Sequence, residues 1–306
     1  MSRKLTQNGA KCRVHREGGE IMAKRLIVLD ENTGEYEDLG YGKFIPESQD
    51  VAIRKQKMKK DGESKQGDFI WFLFNYCNAV FPDLSCPSVT RLFYISTFVE
   101  YNGDRLTDDG GYTFLNKRQI KRKLNLPDKV FTDFWNEMKS RNILSENEDK
   151  DVVLNRQLFR KGNIDKRCGK DFTRIYCSCV RYIYENTKNI RDHAKLAYIF
   201  KIIPYVNRKT NIVCYNPEEL DDKKIKPISI GDFCDVIKYN RNQASRLFKD
   251  LLKFTVKGKH LMCYVAIDSY VITKMFMIIN PEIYYGGEEH SDVKFLFDIC
   301  DRQASK

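Results

Sequence analysis

Apolar residues recur at helical spacing along residues 228–252 (ISIGDFCDVIKYNRNQASRLFKDLL), and this stretch organises the reading of the rest. Phe233, Val236 and Ile237 make one face of a short helix. Ser229 suits its N-cap, and Asp232 stands at the capping-box position. Tyr239-Asn240 breaks the pattern, and Ala244, Leu247, Phe248, Leu251 and Leu252 then mark a second helix. Its opposite face carries Arg241, Asn242, Gln243, Arg246 and Lys249. The spacing predicts a helix-turn-helix. Arg pairs with guanine edges and Asn or Gln with adenine, so these are the side chains of base reading. An ordinary amphipathic helix with a solvated polar face shows the same pattern.

The same logic predicts elements along the rest of the chain. Residues 25–29 read as a strand, 31–34 as a turn and 35–39 as the returning strand. Residues 67–81 are densely apolar and predict a buried helix, and 89–101 predict another. Asn116 caps a helix running to Leu124. Pro127 opens the next one, with Val130, Phe131, Phe134, Trp135 and Met138 as its apolar stripe. A strand is expected over 152–159, helices over 172–186 and 195–205, strands over 261–267 and 275–280, and an amphipathic helix from Ser291. That last helix is apolar enough to pack on the core or on a second subunit, which leaves a homodimer open.

These elements repeat. At a shift of 113, Asn116 falls on Ser229, Leu124 on Ile237, Phe131 on Ala244, Phe134 on Leu247, Trp135 on Phe248 and Met138 on Leu251. Upstream, 91–95 (RLFYI) matches 195–199 (KLAYI) at a shift of 104. Downstream, 153–162 matches 278–287 at a shift of 125. A helix-turn-helix followed by a two-strand ribbon is the winged-helix order, with the second helix in the major groove and the ribbon on backbone or minor groove.

The expected fold is therefore mainly α with small β-wings, an α+β class built of tandem winged helices from an internal duplication. Residues 1–66 form an N-terminal arm with a β-hairpin and a basic linker. Residues 67–163 form the first winged helix, 164–290 the second, and 291–306 a C-terminal helix.

Composition changes the picture in one direction. The 306 residues carry a net charge of +11 and a pI near 9.0, which favours a polyanionic partner. The ten Cys are scattered without a Cys-x-x-Cys and read as reduced small hydrophobes. Cys177, Cys179 and Cys168 lack a nearby fourth ligand for zinc, and the four His show no ligand spacing. No apolar run approaches the roughly 20 residues of a membrane helix, and the first residues lack a signal peptide's apolar core. A soluble, cytoplasmic protein is expected. No phosphate loop, metal-binding His pair or nucleophile elbow appears. The Tyr284-Tyr285 pair stands without the His pair a nicking enzyme needs. The reading is a binding protein with no cofactor, no metal, no small-molecule substrate and no membrane partner.

The partner expected is double-stranded DNA. Ser229, Asn240, Arg241, Asn242, Gln243, Ser245, Arg246 and Lys249 are the predicted contacts of the second half, with Lys257 and Lys259 from its wing. The first half carries acid on its second helix (Asp128, Asp133, Glu137) and its cations one helix earlier. Lys117, Arg118, Lys121 and Arg122, with Lys129 and Thr132, are therefore expected to touch phosphate rather than bases. The second half specifies sequence and the first positions the protein or widens the footprint.

The run from Tyr198 through Asn216-Pro217, then 227–252, then Asn280-Pro281 to Gly287, resembles winged-helix proteins of Firmicute plasmids and phages. RepL-type replication initiators and related phage regulators are examples. The likeness covers 195–287 best and 91–162 more loosely, where Arg156 replaces the proline. It implies sequence-specific duplex binding, at an origin or at an operator. Transcriptional regulation and winged helices used for protein contacts are the alternatives.

Overall fold

The computed structural model describes residues 24–29, 36–42, 67–74, 81–164, 172–268, 273–285 and 290–304. The chain divides into two compact units, Met1–Asp61 and Gly62–Lys306. In the first, β1 (Lys24–Leu29) and β2 (Tyr36–Gly42) form the expected antiparallel hairpin, with a register shift between Arg25 and Ile27. The basic run expected at 54–60 lies outside the described residues.

The second unit mixes helices with small antiparallel sheets, as the α+β expectation has it. No helix among the described residues is long and apolar enough to cross a membrane. One apolar core runs through both halves, from Ile70 to Val293.

Two predicted helices are corrected. Residues 69–73 are a strand, β3 (Phe69–Leu73), where a helix over 67–81 was expected. The expected helix over 172–186 is a strand, β7 (Phe172–Tyr176), and only then a helix, Cys177–Asn186. The reason is tertiary pairing. β3 and β7 form one antiparallel ladder, from Phe69 opposite Tyr176 to Leu73 opposite Phe172. A short strand, β6 (Phe159–Arg160), covers the other edge of β3. A short apolar run buried from several sides does not declare its period.

The remaining elements follow in order. The first half holds α1 (Cys86–Ser96), α2 (Lys117–Leu124), α3 (Asp128–Ser140), β4 (Leu144–Glu146) and β5 (Val152–Leu154). The second holds α4 (Cys177–Asn186), α5 (Ile190–Ile202), α6 (Ile230–Val236) and α7 (Ala244–Leu251). A small hairpin, β8 (Thr255–Val256) and β9 (Lys259–His260), leads into the long ribbon β10 (Met262–Asp268) and β11 (Thr273–Ile279). The last helix is α8 (His290–Ala304).

Local chemistry sets the helix ends. The Asn116 side chain accepts from the Gln119 N–H, and the Gln119 side chain returns the bond to the Asn116 N–H, a full capping box. Ser229 does the same work for α6, accepting from the Asp232 N–H at 3.1 Å. Both helices stop at a left-handed residue, Asn125 (φ 50°) and Lys238 (φ 57°). The N-terminus of α1 is closed from another helix. The Glu137 carboxylate on α3 accepts from the Ser85 N–H at 2.8 Å and from the Ser88 hydroxyl at 2.5 Å.

Similar backbone hydrogen bonds occur in the two halves. Leu106 N–H donates to Val152, and Val213 N–H to Met277. Leu154 N–H donates to Asp104, and Ile279 N–H to Asn211. Each ribbon ends in the same lock. Asn155 donates its amide to the Asn142 carbonyl and accepts from the Gln157 N–H. Asn280 donates to the His260 carbonyl and accepts from the Glu282 N–H. The Asn-containing strand end is thus a backbone clamp, which is why both halves carry it. In the β3–β7 ladder, Trp71 opposes Arg174 at the centre of the five paired positions.

The halves meet through α1 and α5. Phe93 stacks on Phe200 at 4.2 Å, and Tyr94 stacks on Tyr184 of α4 at 4.0 Å. Thr90 donates to the His193 carbonyl at 2.6 Å. The His193 ring is buried, with Nε2 donating to the Thr187 carbonyl at 2.7 Å. Burial, with Arg91 nearby, holds its pKa below the usual 6.5. The unfolded chain takes up the proton that the fold resists, so this residue's contribution is present above pH 6.5 and is lost as pH falls below it. Urea melts of wild type and His193→Gln, run at steps from about pH 7 to 5, should show the acid loss reduced in the variant. Identical pH slopes would refute this.

Candidate nucleic-acid interface

The stretch 229–251 folds as the helix-turn-helix that its caps dictate. Phe233 and Ile237 pack against Leu247, Phe248 and Leu251, all buried, and the Phe233 and Phe248 rings meet edge to face at 5.3 Å. The second helix opens with a tighter turn, Arg241–Gln243, capped by the Asn240 side chain accepting from the Asn242 N–H. Leu247, Phe248 and Leu251 fix the rotation of α7, which turns Asn242, Ser245, Arg246 and Lys249 to solvent on one face. No described residue pairs with Arg246 or Lys249. The one acid on the helix, Asp250, is held by Lys253 at 2.7 Å and Lys195 at 3.1 Å, and these bonds keep its carboxyl below the usual range. The exposed face of α7 is therefore cationic and amide-rich, with its acid neutralised at the edge.

Arg241 stands apart from Arg246. Its guanidinium pairs with Asp235 at 3.0 Å and approaches Asp232 at 3.7 Å. It lies over Gly231, where an added Cβ would come within 2.6 Å of a guanidinium nitrogen. Asp232 is held ionised first by the Ser229 hydroxyl and then by Tyr215 and Arg241. Ser229 is thus committed to its helix cap, and Gln243 accepts from the Tyr239 hydroxyl at 3.3 Å.

The predicted wing contacts of the second half, Lys257 and Lys259, fall in the small β8–β9 hairpin rather than at the tip of the β10–β11 ribbon. Lys257, in a left-handed turn (φ 49°), pairs with Glu282 at 3.3 Å. Lys259 pairs with Asp298 of α8. Both cations are partly spent on the protein. The tip itself, 269–272, lies outside the described residues.

In the first half, Arg118, Arg122 and Lys129 are exposed, and no described residue pairs with them. Lys117 lies over the Trp135 ring at 4.9 Å, and Lys121 pairs with Asp128. Lys123 pairs with Asp109 at 2.9 Å. Thr132 bonds back to the Asp128 carbonyl at 2.9 Å. Glu137 is committed to the α1 cap, which leaves Asp128 and Asp133 as the exposed acids of α3. The β4–β5 ladder has three residue pairs, and the turn between its strands carries Glu148 and Asp149.

Other residues weighed from sequence also find places. Burial pushes the Cys177 thiol up to about 11 and raises that of Cys179 too, so neither offers a ready thiolate. Cys168 lies outside the described residues. Tyr284 is buried, its hydroxyl donating to the Val206 carbonyl at 3.1 Å, which removes it from reach of a phosphate. One grouping escaped the sequence reading: His260, Cys263 and Asp301 converge. A His-x-x-Cys spacing was its only trace, because the third member comes from the last helix.

No protein-family model, curated protein or solved structure matches the chain.

Proposed function

We propose that residues 67–285 are two winged helices related by duplication, and that the protein binds double-stranded DNA with α7 in the major groove. The observation that carries this is the face of α7: Arg246 and Lys249 exposed and unneutralised, beside Asn242 and Ser245, in the second helix of a helix-turn-helix. Support for duplication comes from caps and left-handed stops matched at a shift of 113 and ribbon-end Asn clamps matched at a shift of 125. Each half also runs helix, short strand, helix, helix and ribbon, and the short strand pairs with the ribbon's second strand (Arg105 with Val153, Ile212 with Ile278). The protein acts by binding, without catalysis, as an initiator or a regulator in the manner of the plasmid and phage proteins it resembles.

The two halves divide the work. Arg118, Arg122 and Lys129 give the first half phosphate contacts, while its acidic α3 and wing tip suit a protein surface better than a groove. The test is salt dependence. Binding to a selected duplex should weaken with a log–log slope of about −0.9 per phosphate contact. Arg118→Ala and Arg122→Ala should each reduce the slope by roughly one and weaken all sequences alike. A slope near zero in the wild type would defeat DNA binding. A normal slope untouched by both variants would leave DNA binding standing and confine it to the second half.

A further inference from the structure

We propose that His260, Cys263 and Asp301 form a zinc site that fastens the C-terminal helix to the ribbon. The donors come from three elements, β9, β10 and α8. Nδ1 of His260 lies 2.6 Å from Oδ1 of Asp301, and Sγ of Cys263 lies 3.9 Å from the same oxygen. All three ligand atoms fall within 4.8 Å of one another. Zinc bonds of about 2.0–2.3 Å set donors of a tetrahedral site roughly 3.2–3.7 Å apart. The sulfur–oxygen pair at 3.9 Å is close to that already, the nitrogen–oxygen pair at 2.6 Å must open by roughly 0.6 Å or a little more, and the widest separation of 4.8 Å must close by roughly 1 Å.

The chemistry of the set selects the metal. One imidazole, one thiolate and one carboxylate suit Zn²⁺, whereas Mg²⁺ and Ca²⁺ take oxygen alone. Three protein ligands leave a fourth position for water. Cys263 is fully buried, and the His260 and Asp301 side chains are 17% and 14% exposed. The site is sheltered but reachable.

The surroundings hold the donors in place. The His260 N–H donates to Oδ1 of Asp301 at 2.8 Å, and Asn280 donates to the His260 carbonyl at 2.8 Å. Contacts of this kind orient metal ligands. Phe297 packs with Cys263 and Ile278, and Asp298 pairs with Lys259, so α8 is seated on the ribbon by other means as well.

The first half shows what the second has added. Cys263 opposes Ile278 across its ribbon, and Ser145 opposes Val153 across the other, so Ser145 stands where Cys263 does. Asn142 stands where His260 does, as the clamp bonds of Asn155 and Asn280 show. The first half has neither donor.

On binding, the Cys263 thiol loses its proton to solvent and its sulfur bonds the ion, while the neutral imidazole carries its proton on Nε2 and leaves Nδ1 to bond beside Oδ1 of Asp301. Because the thiol proton must leave, affinity should rise with pH.

The test uses the full chain carrying no histidine tag, stripped with a chelator, desalted, and titrated with Zn²⁺ alone and with Co²⁺ alone. One zinc per chain is expected, and cobalt should show a thiolate-to-metal charge-transfer band. Cys263→Ser should abolish that band and weaken zinc at least about tenfold, and Asp301→Asn should weaken zinc by a similar factor. Circular dichroism verifies that each variant is folded. Failure of the wild type to retain zinc overturns the site whatever the variants do. Equal affinity in the wild type and both folded variants overturns it too, because the ion then sits on other cysteines. DNA binding is not the readout, so this result stands apart from the nucleic-acid reading.

Discussion

Phe93→Ala should lower the unfolding free energy by about 3–5 kcal/mol, the range for deleting a buried aromatic ring. Phe93 is fully buried on α1. Its ring meets Phe72 at 4.9 Å and Phe159 at 5.1 Å in the first half, and stacks on Phe200 of α5 at 4.2 Å. The cavity would open where the halves join, in a core they share. Neither half can refill it by settling on its own. One cooperative transition should move as a whole in a urea melt followed by tryptophan fluorescence and by circular dichroism. Tyr112→Ala, at 91% exposure, is the control and should stay within about 0.5 kcal/mol. If Phe93→Ala split the melt into two transitions, with one unmoved, the halves would be independent folding units and the shared core would have no energetic meaning.

What the sequence disclosed followed the range of the interactions. The helix-turn-helices were legible because their signals are local: Asn116 with Gln119, and Ser229 with Asp232, each lie three residues apart. The ribbon ends were legible as a repeated Asn, although its role, a clamp to the backbone just before the ribbon's first strand, is a long-range contact that no local spacing records. β3 and β7 were not legible. FIWFL and FTRIY pair with each other across roughly a hundred residues of chain, and no local period records that. The same holds for charge. Sequence gives Lys259 and Arg246 equal standing as cations, yet Lys259 meets Asp298 from the last helix while Arg246 meets no described partner. Lys121 and Arg122 are neighbours, but only Lys121 faces Asp128.

That sorting of cations sets the second large effect. Arg246→Ala should cost about 1–3 kcal/mol on the specific site, a roughly 5- to 150-fold loss of affinity, with a much smaller loss on unrelated duplex. Arg241→Ala should cost the specific site less. Its guanidinium is already engaged by Asp235 and Asp232, so DNA would have to compete for it. Screening by water keeps that competition modest for an exposed pair. Lys249→Ala should lower specific and non-specific affinity alike if its ammonium meets phosphate. The measurement is a mobility-shift titration of each variant against a duplex enriched from a random library and against a scrambled duplex, at one fixed salt concentration. No loss on either duplex in Arg246→Ala would mean that Arg246 does not meet DNA. The same loss on both duplexes would demote Arg246 to a backbone contact and move the search for sequence reading to Asn242, Ser245 and the ribbon.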